Sequence, residues 1–334
     1  MKNNTRKLYT AMLLALATTY EVESTTAQFN VSIPMETTIN DGIQESSAFL
    51  SMITVLPVTD STGQALDIGV SDLLAKRTDT SSKDRTPTNM SQPSGTNWTV
   101  KKTEFDVAFG YQLIDQWARY PNFTERYRAA VLNKIALDRI TIGFYGQSAA
   151  AETDPATNPL GQDVNIGWFK LLEDNNPANF ITQSGETLDE ISIGDTGDYK
   201  NLDALVFDVY SAIPVEQRTG NEVVIVGAAL VAQDQNKVLS THGNTPSEKK
   251  DAMMMMNSYG GLVAYQVPKF PDKGVLVTDL KNLHLYYQES GTRRKTEDNT
   301  KRDRVEDYIS SNDAYAIGNV KAIAGIKSEN VVFV

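Results

Sequence analysis

The stretch 76–97 contains one large apolar side chain, that of Met90, together with two prolines and a glycine. A segment with so little to bury cannot belong to a hydrophobic core. Apolar residues alternate with polar ones on both sides of it, in 65–70 and again at every second position in 105–113, which predicts two strands. Two strands joined by a long polar connection predict an extended hairpin that projects from the body. A disordered linker is the alternative.

Composition limits the classes of protein to which the chain can belong. With 334 residues and 40% hydrophobic content, it is long and apolar enough to bury a substantial core. The formal net charge of −11 argues against a protein whose main task is to grip nucleic-acid phosphates. No apolar run approaches the ~20 residues that a membrane-spanning helix needs, so we expect no membrane partner.

Reactive side chains are scarce. The chain has no cysteine and two histidines, His242 and His284, neither with an acidic neighbour at ligand spacing. The acidic run 186–198 lacks the order of a calcium-binding loop. We therefore predict no catalytic, cofactor-binding or metal site, no cofactor, and a structural protein rather than an enzyme. A hydrolase whose carboxylate pair is assembled only by folding is the alternative.

The N-terminus imitates a secretory signal. Three basic residues precede the apolar run 8–17, and small residues follow at 25–27, as in a signal peptide. This pattern supports an alternative function, an exported surface or solute-binding protein with a signal peptide at 1–27. The region 18–27 is long for a cleavage region and contains Glu21 and Glu23, and the apolar run also fits a helix of about three turns.

Periodicity along the remainder predicts a mixed α+β chain with protruding arms. A short helical patch in 39–53 is typical of an arm that lies on another surface. Apolar residues at three-to-four spacing predict a helix from 123 to 142, continuous with the preceding stretch except for a kink at Pro121. The later segments predict a helix at 201–213, a buried strand at 222–227, a helix at 228–239, and strands at 275–277, 283–287 and through 302–334.

Two basic groups are candidates for contacts between subunits. One lies in the polar stretch described first, where positive charges outnumber negative ones. The other lies near the C-terminus, where interleaved acids favour charge pairing across subunits over nucleic-acid binding. The candidate residues are Lys76, Arg77, Lys83, Arg85, Arg293, Arg294, Arg302 and Arg304.

Several strings of the sequence resemble one family. They occur in order along the chain: IQESSAFL (43–50), LIDQWARYPNF (113–123), AETDPATNPLGQDVNIGW (151–168), YKNLDALVFD (199–208), EVVIVG (222–227), VPKFP (267–271) and RDRVEDYISSNDAYAIGN (302–319). In this order they are similar to the major capsid proteins of P-two-type tailed phages. Residues 1–30 and the polar stretch 76–97 match this family poorly.

The resemblance implies the α+β capsid fold of tailed phages, first described for a Hong Kong phage. That Hong Kong phage-like fold has an N-terminal arm, an extended β-hairpin loop, a peripheral domain with a spine helix, and an axial domain. Here the implied divisions are a removable segment at 1–28, the arm at 29–56, the extended loop at 57–110, the peripheral domain at 111–194, the axial domain at 195–275, and C-terminal strands of the peripheral domain at 276–334.

The resemblance also implies function and partners. We expect a major capsid protein that self-assembles into hexamers and pentamers and forms an icosahedral shell around the phage genome. The implied partners are further copies of the chain, a scaffold, a maturation protease, a portal, and packaged double-stranded DNA without sequence-specific binding. The protease is expected to cut near Gln28 and Phe29, and assembly to take place in the host cytoplasm before the chain enters the virion. A shell of cellular origin that carries cargo is a further alternative.

Overall fold

The computed structural model describes residues 1–65, 75, 77–87, 95–120, 122–242 and 258–334. Within these ranges the helices are α1 (Asn3–Thr19), α2 (Ile33–Glu45), α3 (Ala48–Met52), α4 (Tyr111–Trp117), α5 (Phe123–Tyr145), α6 (Trp168–Asn175), α7 (Leu202–Ser211) and α8 (Ala228–His242). The strands are β1 (Phe29–Asn30), β2 (Thr54–Val58), β3 (Thr62–Gln64), β4 (Asn97–Thr99), β5 (Lys101–Glu104), β6 (Val107–Gly110), β7 (Phe180–Ile181), β8 (Ile191–Ile193), β9 (Val223–Val226), β10 (Ser258–Tyr259), β11 (Leu262–Tyr265), β12 (Val275–Thr278), β13 (Leu283–Gln288), β14 (Arg293–Asn299), β15 (Arg304–Ile317), β16 (Ile323–Ile326) and β17 (Val331–Phe333).

The long strand β15 organises the larger sheet. β13 and β14 pair antiparallel with it along one side, and β5 and β6 pair antiparallel along the other. Asp313 therefore faces Tyr287 of β13 on one side and Lys101 of β5 on the other. β2 extends the sheet in parallel beyond β13, and its Pro57 is tolerated because an edge strand need not donate every backbone N–H.

The helix α5 is the spine of this unit. Tyr127, Val131, Ile135 and Ile140 recur at helical spacing, and each is at most 2% exposed. At the C-terminal end of α5, Gly143 lies against the indole of Trp168; a Cβ at this glycine would come within 2.3 Å of the ring. The predicted helix is therefore present, but the kinked continuation is wrong: α4 ends at Trp117 and α5 starts afresh at Phe123.

A second sheet has the strand order β10-β11-β9-β12-β16-β7. The buried face of α7, formed by Leu202, Leu205, Val206 and Val209, packs in the same cluster as the sheet residues Val224 and Val226. The predicted helices at 201–213 and 228–239 and the strand at 222–227 are confirmed. Asn201 caps α7 by accepting a hydrogen bond of 2.9 Å from the Ala204 N–H, as its side-chain type favours.

One expected strand is shorter in the structure. The alternation in 105–113 does not continue as one strand, because β6 ends at Gly110 and the chain turns into α4, where Ile114 is fully buried. The strands after residue 275 divide between the sheets. β12 and β16 lie in the second sheet, β13 to β15 lie in the larger sheet, and β17 pairs with β8 in a separate sheet of two strands.

The segment 29–56 packs on the chain's own core, unlike the expected arm on another surface. Ile39 and Ile43 of α2 and Phe49 and Leu50 of α3 are buried in the cluster that contains α5. These side chains find an apolar partner within the same subunit, so the helical patch becomes part of the body.

Candidate assembly surfaces

The base of the predicted hairpin is fixed to the larger sheet. β3 and β4 pair antiparallel, with Gly63 opposite Trp98, and the Trp98 ring lies 5.2 Å from that of Tyr286 in β13. Next to them, the Thr96 N–H donates to the Ile317 carbonyl at 2.9 Å, and the Ile317 N–H donates back to the Thr96 hydroxyl at 2.9 Å. The base of the predicted hairpin is therefore anchored on the larger sheet. The strand predicted at 65–70 lies largely outside the described residues.

Residues 77–87, which lie within the predicted hairpin tip, present their cations to solvent. Arg77, Lys83 and Arg85 are all exposed, and none forms a salt bridge with another described residue. Asp79 closes a turn by accepting hydrogen bonds from the N–H and hydroxyl of Ser81. The hydrogen bonds from Ser81 lower the pKa of Asp79. Lys76 lies outside the described residues.

The second basic group divides between solvent and interior. Arg293 and Arg302 are exposed, while Arg304 donates from Nε to Glu306 at 2.6 Å. Arg294 is used inside the subunit: its side chain is 11% exposed, and Nε and Nη2 donate to Asp307 at 3.0 and 2.6 Å. Burial opposes the charge of Arg294, but Asp307 outweighs it and raises the pKa of the guanidinium.

The N-terminal helix is docked on the body of the chain. Tyr9 and Met12 of α1 are 3% and 2% exposed. The Lys2 backbone N–H donates to Asp115 at 3.0 Å, and Arg6 pairs with Asp298 at 3.3 Å. Sequence analysis predicted the helix but not where it docks, because Asp115 and Asp298 are both far from it in the sequence.

The connection from α1 to β1 forms an exposed loop whose two ends lie close together. The rings of Tyr20 and Phe29 are 5.3 Å apart. Arg294 lies at both ends, because its Nη1 donates to the Tyr20 hydroxyl at 2.8 Å and its backbone faces Phe29 in the β1–β14 pair. Between these ends most side chains are exposed, including that of Gln28.

The described residues hold no group of three or more His, Asp or Glu placed to bind a metal ion. His284 lies in β13, where its Nδ1 is 2.7 Å from the Tyr286 hydroxyl, so this histidine belongs to the base of the hairpin. Among the helices of the described ranges, none is long and apolar enough to cross a membrane.

Comparison with known proteins identifies relatives over almost the whole chain. The chain is 33% identical over 333 residues to the capsid protein of Escherichia phage P2, covering 96% of this chain and 93% of that protein. It is 31% identical over 339 residues to the major capsid protein of Serratia phage KSP20, covering 98% and 97%.

Comparison with solved structures also finds capsid chains with a similar fold. The fold superposes on a chain of the satellite phage P4 procapsid, a particle that includes a size determination protein, with a TM-score of 0.80 and 31% identity over 100% of this chain and 99% of that one. The capsid of a native GTA particle shares the fold alone, with a TM-score of 0.51 and 13% identity over 84% and 90%. The predicted α+β capsid fold is confirmed.

The model of one family, described as phage major capsid protein, P2 family, matches residues 8–329. This match includes the apolar run 8–17, so nothing in the comparisons supports the alternative of an exported surface or solute-binding protein. The family is structural rather than enzymatic. The chain therefore belongs to the P2 family of phage major capsid proteins.

Proposed function

We propose that this chain self-assembles into hexamers and pentamers that close into an icosahedral shell around a double-stranded DNA genome. Family membership supports this role, and one observation of the chain carries it: the exposed cations Arg77, Lys83 and Arg85 have no salt-bridge partner among the described residues of their own subunit. Docking of this segment on a neighbouring copy supplies these cations with acidic partners.

A projecting segment can supply much of the interface area that shell assembly requires. Obligate interfaces bury more than about 2,000 Å², and a projecting hairpin supplies area without enlarging the core. The polar tip keeps the unassembled subunit soluble. Repulsion between subunits of charge −11 extends only about 8 Å at physiological salt, so local complementarity decides which surfaces join. The exposed cations Arg77, Lys83, Arg85, Arg293 and Arg302 are the proposed contacts to acidic surfaces of neighbours.

In this proposal each part of the subunit has its own position in the shell. Within the extended loop 57–110, the polar part between β3 and β4 reaches onto a neighbour. Residues 111–194 with the strands around β15 form the peripheral wall, and 195–275 lie at the centre of each ring. A scaffold guides assembly in the host cytoplasm, and a portal occupies one vertex. The acidic balance of the chain lets the packaged double-stranded DNA move past the shell wall without sequence-specific binding.

A maturation protease removes residues 1–28 in this proposal. The exposed loop that leads to Gln28 supports a cut there, since proteases act on accessible chain. Phe29 then becomes the new N-terminus, retained by its strand pairing with Arg294.

Electron microscopy of the full-length chain, co-expressed with the scaffold encoded beside it, tests the proposed function. We expect closed particles, and soluble folded subunits without particles when residues 77–87 are replaced by a short Gly-Ser linker. A chain that stays monomeric with its scaffold present would contradict self-assembly. Particles formed equally well without 77–87 would contradict the role of the hairpin. Mass spectrometry of particles matured with the phage protease tests the cut after Gln28.

A further inference from the structure

The helix α7 carries an apolar side chain on its outer face. Leu205 and Val209 pack towards the second sheet and are fully buried, whereas Phe207, on the opposite side of the helix, is 61% exposed. Seven of the ten residues of α7 are apolar, and a helix that is apolar on all sides is typical of a protein interior. The composition of α7 therefore favours a partner over its outer face.

A second exposed apolar side chain lies on the other side of the same sheet. In β11, Leu262 and Ala264 pack against the cluster that contains the buried face of α7. Because successive residues of a strand point to opposite faces, Val263 points away from α7, and it is 57% exposed. Val263 is in register with Val223 of β9, which packs against the cluster that contains α5. Phe207 and Val263 therefore lie on opposite sides of one sheet.

The charges near these two side chains are opposite in sign. Asp203 and Asp208 flank Phe207 in α7; both are exposed, and neither pairs with a cation of the described residues. Lys269 follows β11 on the side of Val263, since its neighbours along the chain pack in the cluster on that face. It is exposed and forms no salt bridge with another described residue. An apolar centre with an acidic rim and an apolar centre with a basic rim are complementary surfaces.

We propose that the outer face of α7 in one copy of the chain docks on the β11 face of the next copy around a ring. Phe207 packs against Val263, and the carboxylates of Asp203 and Asp208 face Lys269. This inference rests on the proposed assembly into hexamers and pentamers and names the surfaces that join neighbours within a ring. Two different patches on opposite sides of a subunit make a head-to-tail contact, and such contacts close into rings, whereas a single self-complementary patch makes a dimer.

Disulfide cross-linking tests this contact directly, because the chain has no cysteine of its own. The full-length chain with Phe207→Cys and Val263→Cys is co-expressed with the scaffold, and purified particles are oxidised with diamide. A disulfide needs Cα atoms within about 7 Å of each other, and within one subunit the two positions lie on opposite sides of the sheet. We therefore expect non-reducing electrophoresis to show a ladder of linked chains that extends to covalent hexamers. Reduction is expected to return the ladder to the single chain.

Two controls have no ladder: Phe207→Cys alone, and Phe207→Cys with Leu188→Cys, which pairs the same position with another exposed one. Asp208→Cys with Lys269→Cys leaves the apolar contact intact and is expected to give the same ladder from the rim, so the test does not depend on the loss of Phe207.

Closed particles of the double variants without a ladder overturn the docking, while the proposed assembly stands. Linked dimers from Phe207→Cys alone overturn the head-to-tail arrangement. If the unmodified chain forms no particles with its scaffold, the proposed function itself fails, and the docking that rests on it fails with it.

Discussion

Arg139 of the spine helix and Asp313 of β15 form a salt bridge in which both side chains are 2% exposed. Nε and Nη2 of Arg139 donate to the two carboxylate oxygens at 2.9 and 3.1 Å, and Nη1 donates to the Asn40 side chain in α2 at 2.8 Å. This guanidinium therefore joins three elements that are far apart in the sequence: α2, α5 and the central strand of the larger sheet.

Replacing Arg139 with methionine is expected to destabilise the subunit strongly. The change leaves Asp313 buried without a cation, and breaking one side of a buried pair typically costs about 3–5 kcal/mol. Urea unfolding of the unassembled subunit measures the loss. The matched control is Lys134→Met, which breaks the exposed pair with Asp138 on the same helix and is expected to cost about 0.3–0.5 kcal/mol. Similar losses for the two variants would show that the buried pair does not hold these elements together.

Gly143→Ala is expected to disturb the contact between α5 and α6. The added methyl group would lie 2.3 Å from the Trp168 ring, and that indole is 1% exposed and bonded to the His284 carbonyl at 3.1 Å. Overpacking of this kind costs about 1–3 kcal/mol even though alanine favours helix.

Gly110→Ala is the matched control for this substitution, because no atom lies within 4 Å of its Cβ position. Its φ of −62° is one that alanine adopts readily, so we expect a change below about 1 kcal/mol. Thermal unfolding compares the two variants. Equal melting temperatures would mean that Trp168 moves aside without cost.

The elements that sequence analysis predicted correctly are those with a local cause. The periodicity of Leu202, Leu205 and Val209 and the capping side chain of Asn201 are enough to place α7. The poverty of apolar residues in 76–97 agrees with the exposure of most side chains in 77–87. Sequence analysis did not predict that α2 packs on the subunit's own core, or that Arg294 pairs with Asp307. Both depend on residues brought together by the sheet, and neither the spacing nor the type of these residues identifies the partner.

A related reason explains why two residues of the second basic group differ in exposure. Arg293 and Arg294 are neighbours in the sequence, but adjacent residues of a strand point to opposite faces of the sheet. Arg293 therefore reaches solvent, while Arg294 enters the core beneath α1. A contact prediction from charge density alone treats the two residues as equivalent.

Acid is expected to destabilise the subunit partly through Glu306. Hydrogen bonds from Tyr308, Arg304 and Asn299 lower the pKa of Glu306 to about 2, below the value of about 4.3 for an unfolded glutamate. The stabilisation is therefore present above about pH 4.3 and is lost as the pH falls towards 2. In Glu306→Gln, the free energy of unfolding should depend less on pH in this window. Glu23→Gln, which removes an exposed carboxylate from the loop 21–28, should retain the pH profile of the unmodified chain.

Reversing the charge of the hairpin tip is expected to reduce assembly without affecting folding. Lys83 and Arg85 are exposed and have no salt-bridge partner among the described residues, so Lys83→Glu with Arg85→Glu removes no contact within the subunit and changes stability little. If the tip docks on acidic neighbours, the new repulsion lowers the yield of closed particles, measured by sedimentation of co-expressed chain and scaffold. Lys281→Glu with Lys321→Glu changes the net charge equally at exposed sites outside 57–110. Loss of particles in the hairpin variant alone assigns the effect to docking, whereas equal yields in both variants would show that the tip carries no attraction.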